Sequence, residues 1–209
     1  WSEREECWWS LQEVAQQAKK NPFTGSRADA VDHLDKLLRD AIQGQSLADV
    51  PLGMFLSGGV DSSSVAAVMQ AISNQPIKSF TIGFENSAYD ESDSARAVAQ
   101  HLGSDHHEWI VTADDALSLI PQLPGYYDEP FADVSQIPTL LVSTLAKQNV
   151  TVALSGDGGD ELFAGYNRHQ WAPKLLHRMQ YFPEMIRKAL AVLIESASPS
   201  GWDYFFKII

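Results

Sequence analysis

The sequence predicts an α/β fold: a parallel sheet with helices on both faces, followed by C-terminal helices. Three observations carry this. Two apolar runs, 50–56 and 150–154, each pass through Ser-Gly into a glycine turn and then a helix start. Two further runs rich in β-branched and aromatic residues, 77–84 and 106–111, lie between them. Helical spacing fills the intervals, and strands that alternate with helices build parallel sheets.

Taken in order, residues 1–27 read as an approach segment. In it Trp8-Trp9-Ser10-Leu11 is a short packed stretch and Asn21-Pro22-Phe23-Thr24-Gly25-Ser26 is a loop. Over 27–43, Ala30, Leu34, Leu37, Leu38 and Ala41 share one helical face, with Asp29, Asp32, Lys36 and Arg39 outside. His33 has no assigned role, and Gly44 is the expected stop. The first strand is 50–56, and 62–72 is the helix that leaves its loop. Gln75-Pro76 turns the chain into the second strand, 77–84. In Ser87-Ala88-Tyr89-Asp90-Glu91-Ser92, Asp90 and Glu91 are good first-turn acids for a helix that runs to about Leu102 and stops at Gly103.

The third strand is His106-His107-Glu108-Trp109-Ile110-Val111. Neighbouring strand residues face opposite ways, so His106 and His107 are not expected to ligate one ion. Residues 113–120 read as a helix stopped by Pro121 and Pro124. Tyr126-Tyr127-Asp128-Glu129-Pro130-Phe131-Ala132-Asp133 is irregular. It is either an exposed acidic loop or a lining for the acceptor side of a site. Residues 135–148 are helical, with Pro138 in the first turn. A fourth, buried strand at 150–154 follows. Residues 183–194 form an amphipathic helix with Arg187 and Lys188 on its wet face, and 196–202 is a loop.

Composition narrows the function. The chain has 209 residues, 44% of them hydrophobic, enough for one sizeable core. A formal net charge of −12 repels polyanions, so nucleic acid is an unexpected partner. The single cysteine, Cys7, allows no intrachain disulfide framework, which suits a reducing cytoplasm. No apolar run approaches the roughly 20 residues of a membrane span, so no membrane partner is expected. Aromatic residues near both ends, Trp1 and Phe205-Phe206-Lys207-Ile208-Ile209, fit a piece of a longer chain whose apolar end packs on sequence outside it.

The chemistry lies in two loops. In Leu56-Ser57-Gly58-Gly59-Val60-Asp61-Ser62-Ser63 a strand gives way to glycines and then a helix N-terminus. Backbone N–H groups aimed at one point, with the positive end of the helix dipole, make an anion site. Asp61 would repel a phosphate unless a cation lay between, so the loop reads as a phosphate-plus-Mg²⁺ site with Asp61 as a metal ligand. The alternative is an ordinary βα turn with an Asp/Ser cap. No Gly-Lys-Ser/Thr follows, so this is not a Walker loop. Ser155-Gly156-Asp157-Gly158-Gly159-Asp160-Glu161 repeats the pattern. Two such loops at the carboxyl ends of neighbouring parallel strands would face one crevice, where open α/β sheets bind ligands. Asp61 and Asp160 could then share one cation.

Ser57-Gly58-Gly59-Val60-Asp61-Ser62-Ser63 resembles the SGGxDSS pyrophosphate loop of the ATP pyrophosphatases, and most closely that of the asparagine synthetases and related glutamine-dependent amidotransferases. The second loop resembles the SGxGxDE loop of the same family, with Asp157 where the usual asparagine synthetase carries Glu. The resemblance runs from about Trp8 to Arg168. It implies the adenine-nucleotide α-hydrolase type of fold, with the synthetase domain at 28–170 and a helical extension at 171–209.

It further implies that a carboxylate, aspartate or aspartate-like, is adenylated by ATP with release of pyrophosphate. Ammonia then attacks, supplied by a glutaminase domain that this chain lacks. In that scheme the backbones near Leu56 and Ile82-Gly83 hold adenine. Ser57, Gly58, Gly59, Ser62 and Ser63 hold pyrophosphate, and Ser155-Gly156 lies near the ribose and α-phosphate. Asp61 and Asp160 bind Mg²⁺, and Asp157 is the acid/base or acceptor-orienting carboxylate. The Tyr-Asp-Glu stretch at 89–91 follows the adenine strand. Class II glutaminases use a cysteine at the very N-terminus, which Cys7 is not. The family's phosphate-contacting lysine is not placed by any motif after Trp171. A homodimer is compatible with the reading. The competing readings are an NAD- or GMP-synthetase-like ATP pyrophosphatase, against which the second loop argues, and a non-catalytic nucleotide-binding domain.

Overall fold

A computed structural model describes residues 6–85, 90–130, 132–196, 198 and 202. Tyr89 and its neighbours 86–88, Phe131, most of the 196–202 loop and the apolar end at 205–209 lie outside the described residues, as do residues 1–5. The chain divides into two compact units, Trp1–Gly156 and Asp157–Ile209.

The first unit begins with a helix where a packed stretch and the first part of an approach segment were expected. Trp8 and Trp9 are 95% and 58% exposed, and α1 spans Leu11–Lys20. It buries no residue. Local terms make it: good helix formers, a Ser10 side chain that accepts the Glu13 N–H, and Lys19 and Lys20 in the last turn. α2 spans Arg27–Gln45, opened by a reciprocal capping box between Ser26 and Asp29. Gly44 does not stop it. That glycine stays helical because the chain beyond it still bonds back, Ser46 N–H to Ile42 O at 2.8 Å. Of α2 only Ile42 is buried, and the expected apolar face is not covered, with Leu34 36% and Leu37 54% exposed.

β1 (Leu52–Phe55), β2 (Lys78–Phe84), β3 (Asp105–Val111) and β4 (Val152–Leu154) form a sheet of order β3-β2-β1-β4. Every pairing is parallel. The expected parallel sheet is therefore present. The fourth strand is not the buried run expected. It is three residues long, lies at the sheet edge and leaves Val152 40% exposed, because only β1 flanks it. Val150 is buried, but ahead of the strand, against Phe80 and Ala146.

Helices cover both faces. α3 (Val60–Ile72) and α4 (Ser92–Leu102) close a core of Met54, Leu56, Ala66, Met69, Ala95 and Ala99 on one face. On the other, α7 (Gln136–Lys147) packs Val142, Leu145 and Ala146 on Phe55 and Phe80. α4 stops where expected, at Gly103 in the left-handed region (φ 69°). The helix expected over 113–120 ends one residue early, just before Pro121, whereas Pro124 opens a further short helix instead of stopping one. α5 (Ala113–Leu119) runs into a 3₁₀ turn at Ile120–Gln122 and then α6 (Leu123–Tyr126). Each proline sits in a first turn, where no N–H is required of it.

The strand alternation separates the two histidines. His106 Nδ1 lies 2.9 Å from the Ser79 hydroxyl, while His107 stacks on Phe80 with centroids 5.2 Å apart. Burial pushes the His106 imidazole below its ordinary value.

Helix starts also fix how the unit responds to acid. The carboxylate of Asp29 is bonded first by the Ser26 hydroxyl, and that of Asp115 by the Thr112 N–H. Both carboxyls are thereby held below the ordinary carboxylate value. A carboxyl depressed in the fold adds stability that is present above its unfolded pKa and lost as pH falls through the folded one. The melting midpoint of Asp115→Ala should therefore lie below that of the unaltered chain by a constant gap above about pH 5, and the gap should close below about pH 4. A gap that is unchanged at pH 3 would show that the charge on the capping carboxylate contributes nothing.

The second unit holds α8 (Gly159–Phe163), α9 (Asn167–Met179) and α10 (Glu184–Ser196). Lys188 pairs with Glu184 at 2.7 Å one turn away, an exposed contact as read from the sequence. Among the described residues no helix is long and apolar enough to cross a membrane.

Candidate functional site

The chain runs from β1 to β2 to β3 on one side, and β4 lies on the other side of β1. The strand order thus reverses between β1 and β4, and open α/β sheets bind ligands outside the carboxyl ends at such a point. Register pairs Met54 with Leu154, so the segments that follow both strands leave the same end of the sheet. The two glycine loops do start side by side.

Residues 56–63 form a self-bonded loop. The Ser62 hydroxyl, on a residue only 7% exposed, is its hub: it accepts the Ser57 N–H at 3.2 Å, lies 2.8 Å from the Ser57 hydroxyl and is 3.3 Å from Gly59 O. Gly58 has φ 78°, and a Cβ there would meet Ala95 N at 2.6 Å. Glycine is required at this position by both the conformation and the space. Gly59 caps α3 with no side chain. Among the described residues the N–H groups of Val60, Asp61 and Ser62 have no protein acceptor, and no group hydrogen-bonds the Asp61 carboxylate. Ser63 Oγ is buried without a partner. A first turn with free donors is what the anion reading needs.

Gly156 brings the second loop to the first. A Cβ on it would lie 2.7 Å from Ser62 N and 3.0 Å from Ser62 Cα, both backbone atoms. Gly156→Ala should therefore destabilise the first unit by about 2 kcal/mol, lowering the melting midpoint by roughly 4–8 °C. Gly125→Ala, where nothing lies within 4 Å, is the neutral control. Equal midpoints for the two variants would mean that the loops do not touch.

The strand residues read as adenine-binding are placed differently from one another. The Leu56 amide is already engaged: its N–H donates to Phe80 O at 2.9 Å and its C=O accepts the Thr81 hydroxyl at 2.5 Å. Gly83 lies one residue past Ile82 on β2, where an added Cβ would press on Ser92 at 2.8 Å. Ser92 is itself tied by the Asp90 carboxylate, which accepts its N–H at 3.1 Å and its hydroxyl at 3.0 Å. Asp90 and Glu91 thus precede the helix instead of lying in its first turn, where the acid is Asp93, and Asp90 acts by bonding the first helical residue. Sequence reasoning missed Thr81 and Ser92. The signal for Thr81 was a hydroxyl alternating with Phe80 and Ile82 on a strand; for Ser92 there was none.

In the second unit the Asp160 carboxylate likewise has no hydrogen bond among the described residues. Glu161 accepts the Tyr166 hydroxyl at 2.5 Å, which holds the Glu161 carboxyl below and the Tyr166 hydroxyl above their ordinary values. No group of three or more His, Cys, Asp or Glu among the described residues gathers as a metal cage. A hard ion held by one or two carboxylates plus substrate phosphates, the usual habit of Mg²⁺, needs no such cage.

The asparagine synthase family model matches residues 33–203. The chain belongs to the asparagine synthase family. It is 36% identical over 174 residues to the glutamine-hydrolyzing asparagine synthetase 1 of Bacillus subtilis, covering 81% of this chain and 27% of that protein. It is 33% identical over 181 residues to asparagine synthetase B of Escherichia coli, covering 77% of this chain and 31% of that protein. The chain thus spans only a part of the curated relatives it matches.

Among solved structures it is similar to the NH3-dependent NAD synthetase of Campylobacter jejuni, at TM-score 0.44 and 16% identity, with 81% of this chain and 89% of that one covered. A second is the glutamine-dependent NAD+ synthetase of Acinetobacter baumannii in complex with ADP, at TM-score 0.45 and 20% identity, covering 69% and 28%.

Proposed function

We propose that this chain is the amide-forming part of a glutamine-dependent asparagine synthase. ATP and a carboxylate, aspartate or an aspartate-like acceptor, give an acyl-adenylate and pyrophosphate. Ammonia from a glutaminase domain elsewhere in the parent protein then displaces AMP to leave the amide. The observation that carries this reading is the meeting of the two glycine loops, Gly156 against Ser62, at the strand reversal.

The residues divide the work. The free N–H groups of the first turn of α3, with Ser57, Gly58, Gly59, Ser62 and Ser63, receive the pyrophosphate oxygens and stabilise the charge that develops as they leave. Ser155 and Gly156 border the ribose and α-phosphate, and the ends of β1 and β2 at Leu56 and Ile82-Gly83 border adenine. Asp61 and Asp160 are hard oxygen donors without hydrogen-bond partners among the described residues, which fits them to Mg²⁺. Bound Mg²⁺ supplies charge neutralisation at the phosphates. Asp157 faces the acceptor and takes the proton that ammonia loses on attack. The acidic composition and lone exposed cysteine suit a cytoplasmic enzyme.

ATP–pyrophosphate exchange tests the reading. Exchange that needs both Mg²⁺ and aspartate, or a close analogue, is expected. ATP binding with no exchange for any dicarboxylate offered would favour a non-catalytic nucleotide-binding domain instead.

A further inference from the structure

The carboxylate of Asp160 stands in a frame that the loop motif does not explain. α8 ends at Phe163, and Ala164 takes left-handed backbone, φ 58° and ψ 39°. It is the one non-glycine with positive φ among the described residues. A residue with a Cβ holds that conformation only where its surroundings dictate it. Three ties do so. The N–H groups of Ala164 and Gly165 both donate to Asp160 O, the second at 3.0 Å. Gly165 lies so close to the Asp160 side chain that a Cβ there would overlap Oδ1. Tyr166 then reaches back to bond Glu161, the residue after Asp160. Its ring is covered by the Arg168 guanidinium at 4.0 Å and edged by His169 at 5.7 Å.

The two backbone bonds to Asp160 O are those of an ordinary helix end; a turn that served only to end α8 would need neither the close fit of Gly165 on the Asp160 side chain nor the Tyr166 bond to Glu161. Here the space beside the carboxylate and the next side chain are fixed, while the carboxylate itself has no hydrogen bond among the described residues. Carboxylates that hold a metal depend on such fixing by their neighbours.

We infer that Ala164-Gly165-Tyr166 is a positioning turn for the Asp160 carboxylate, with the Tyr166–Glu161 bond as its latch and Gly165 as the gap that admits the side chain. The inference rests on the proposed role of Asp160 as a Mg²⁺ ligand.

Calorimetric titration of the chain with ATP, once with Mg²⁺ and once with EDTA, tests it on Asp160→Asn, Tyr166→Phe and Gly165→Ala. Tyr166→Phe keeps the ring and its contacts with Arg168 and His169, so its melting midpoint should hold. It should match the unaltered chain in EDTA and lose about tenfold in affinity with Mg²⁺, the scale of a lost supporting bond. Gly165→Ala should lose at least as much; if it does not fold, Tyr166→Phe decides. Should Asp160→Asn lose the Mg²⁺ gain while Tyr166→Phe keeps it, the positioning role is wrong and the ligand assignment stands. Should both keep it, the ligand assignment falls and takes the positioning role with it. Equal losses with and without Mg²⁺ in Tyr166→Phe would reduce the turn to a structural one and overturn the inference.

Discussion

Asp157→Asn should reduce amide formation by about 10²-fold or more, with ammonium supplied as the nitrogen source, the scale of a lost acid/base group. The change keeps the size of the side chain and removes its charge. Asp157 lies between two glycines, Gly156 and Gly158, in a loop that follows β4. A carboxylate cannot face phosphate there without a cation, and the proposed function gives cation binding to Asp61 and Asp160 and the acceptor to Asp157. Its variant should bind ATP within about threefold of the unaltered chain, under roughly 1 kcal/mol. ATP–pyrophosphate exchange locates the step. Exchange kept while the amide is lost places Asp157 at ammonia attack; loss of both places it at acceptor binding. A collapse of ATP affinity would assign it to the nucleotide site and undo the division of work among the three aspartates.

The second large effect concerns the cation. Asp61→Asn and Asp160→Asn should each weaken ATP binding in the presence of Mg²⁺ by a few kcal/mol, by analogy with a charge pair that loses one partner (about 3–5 kcal/mol). In EDTA neither should weaken it, since removing a carboxylate near phosphate relieves repulsion. Titration of each variant under both conditions reads this directly. Equal loss in the two conditions would mean that these acids only open helices, the role that any Asp can play in a first turn.

Much of the first unit was legible because its signals are local and repeated. An apolar run that passes into glycines marked β1, and a β-branched, aromatic run after Gln75-Pro76 marked β2, each to within two residues at each end. The alternation of a strand predicted that His106 and His107 face apart, and they take separate partners, Ser79 and Phe80. Gly103 ended α4 because its left-handed conformation is cheap only for glycine. The failures share another cause. Gly44 and Pro124 were read as stops from residue type alone, whereas the backbone around Gly44 still had acceptors and Pro124 sits in a first turn that needs no donor from it. Trp8 and Trp9 were read as packed from their hydrophobicity, but they are 95% and 58% exposed.

For the site, the motif marked both glycine loops, and the strand order set their Ser-Gly starts at one end of the sheet. Tyr166 was invisible, because its partnership with Glu161 depends on a left-handed turn at an alanine, which no sequence rule flags.

The central claim is that the first turn of α3 and the Ser155-Gly156 step line one nucleotide site. Backbone amide shifts recorded by NMR as Mg²⁺ and ATP are added test it most directly. The account predicts the largest changes at Gly58, Val60, Asp61, Ser62 and Gly156, with Gly103 and Gly125 unmoved. Saturable ATP binding that leaves the Val60–Ser62 amides in place would contradict it.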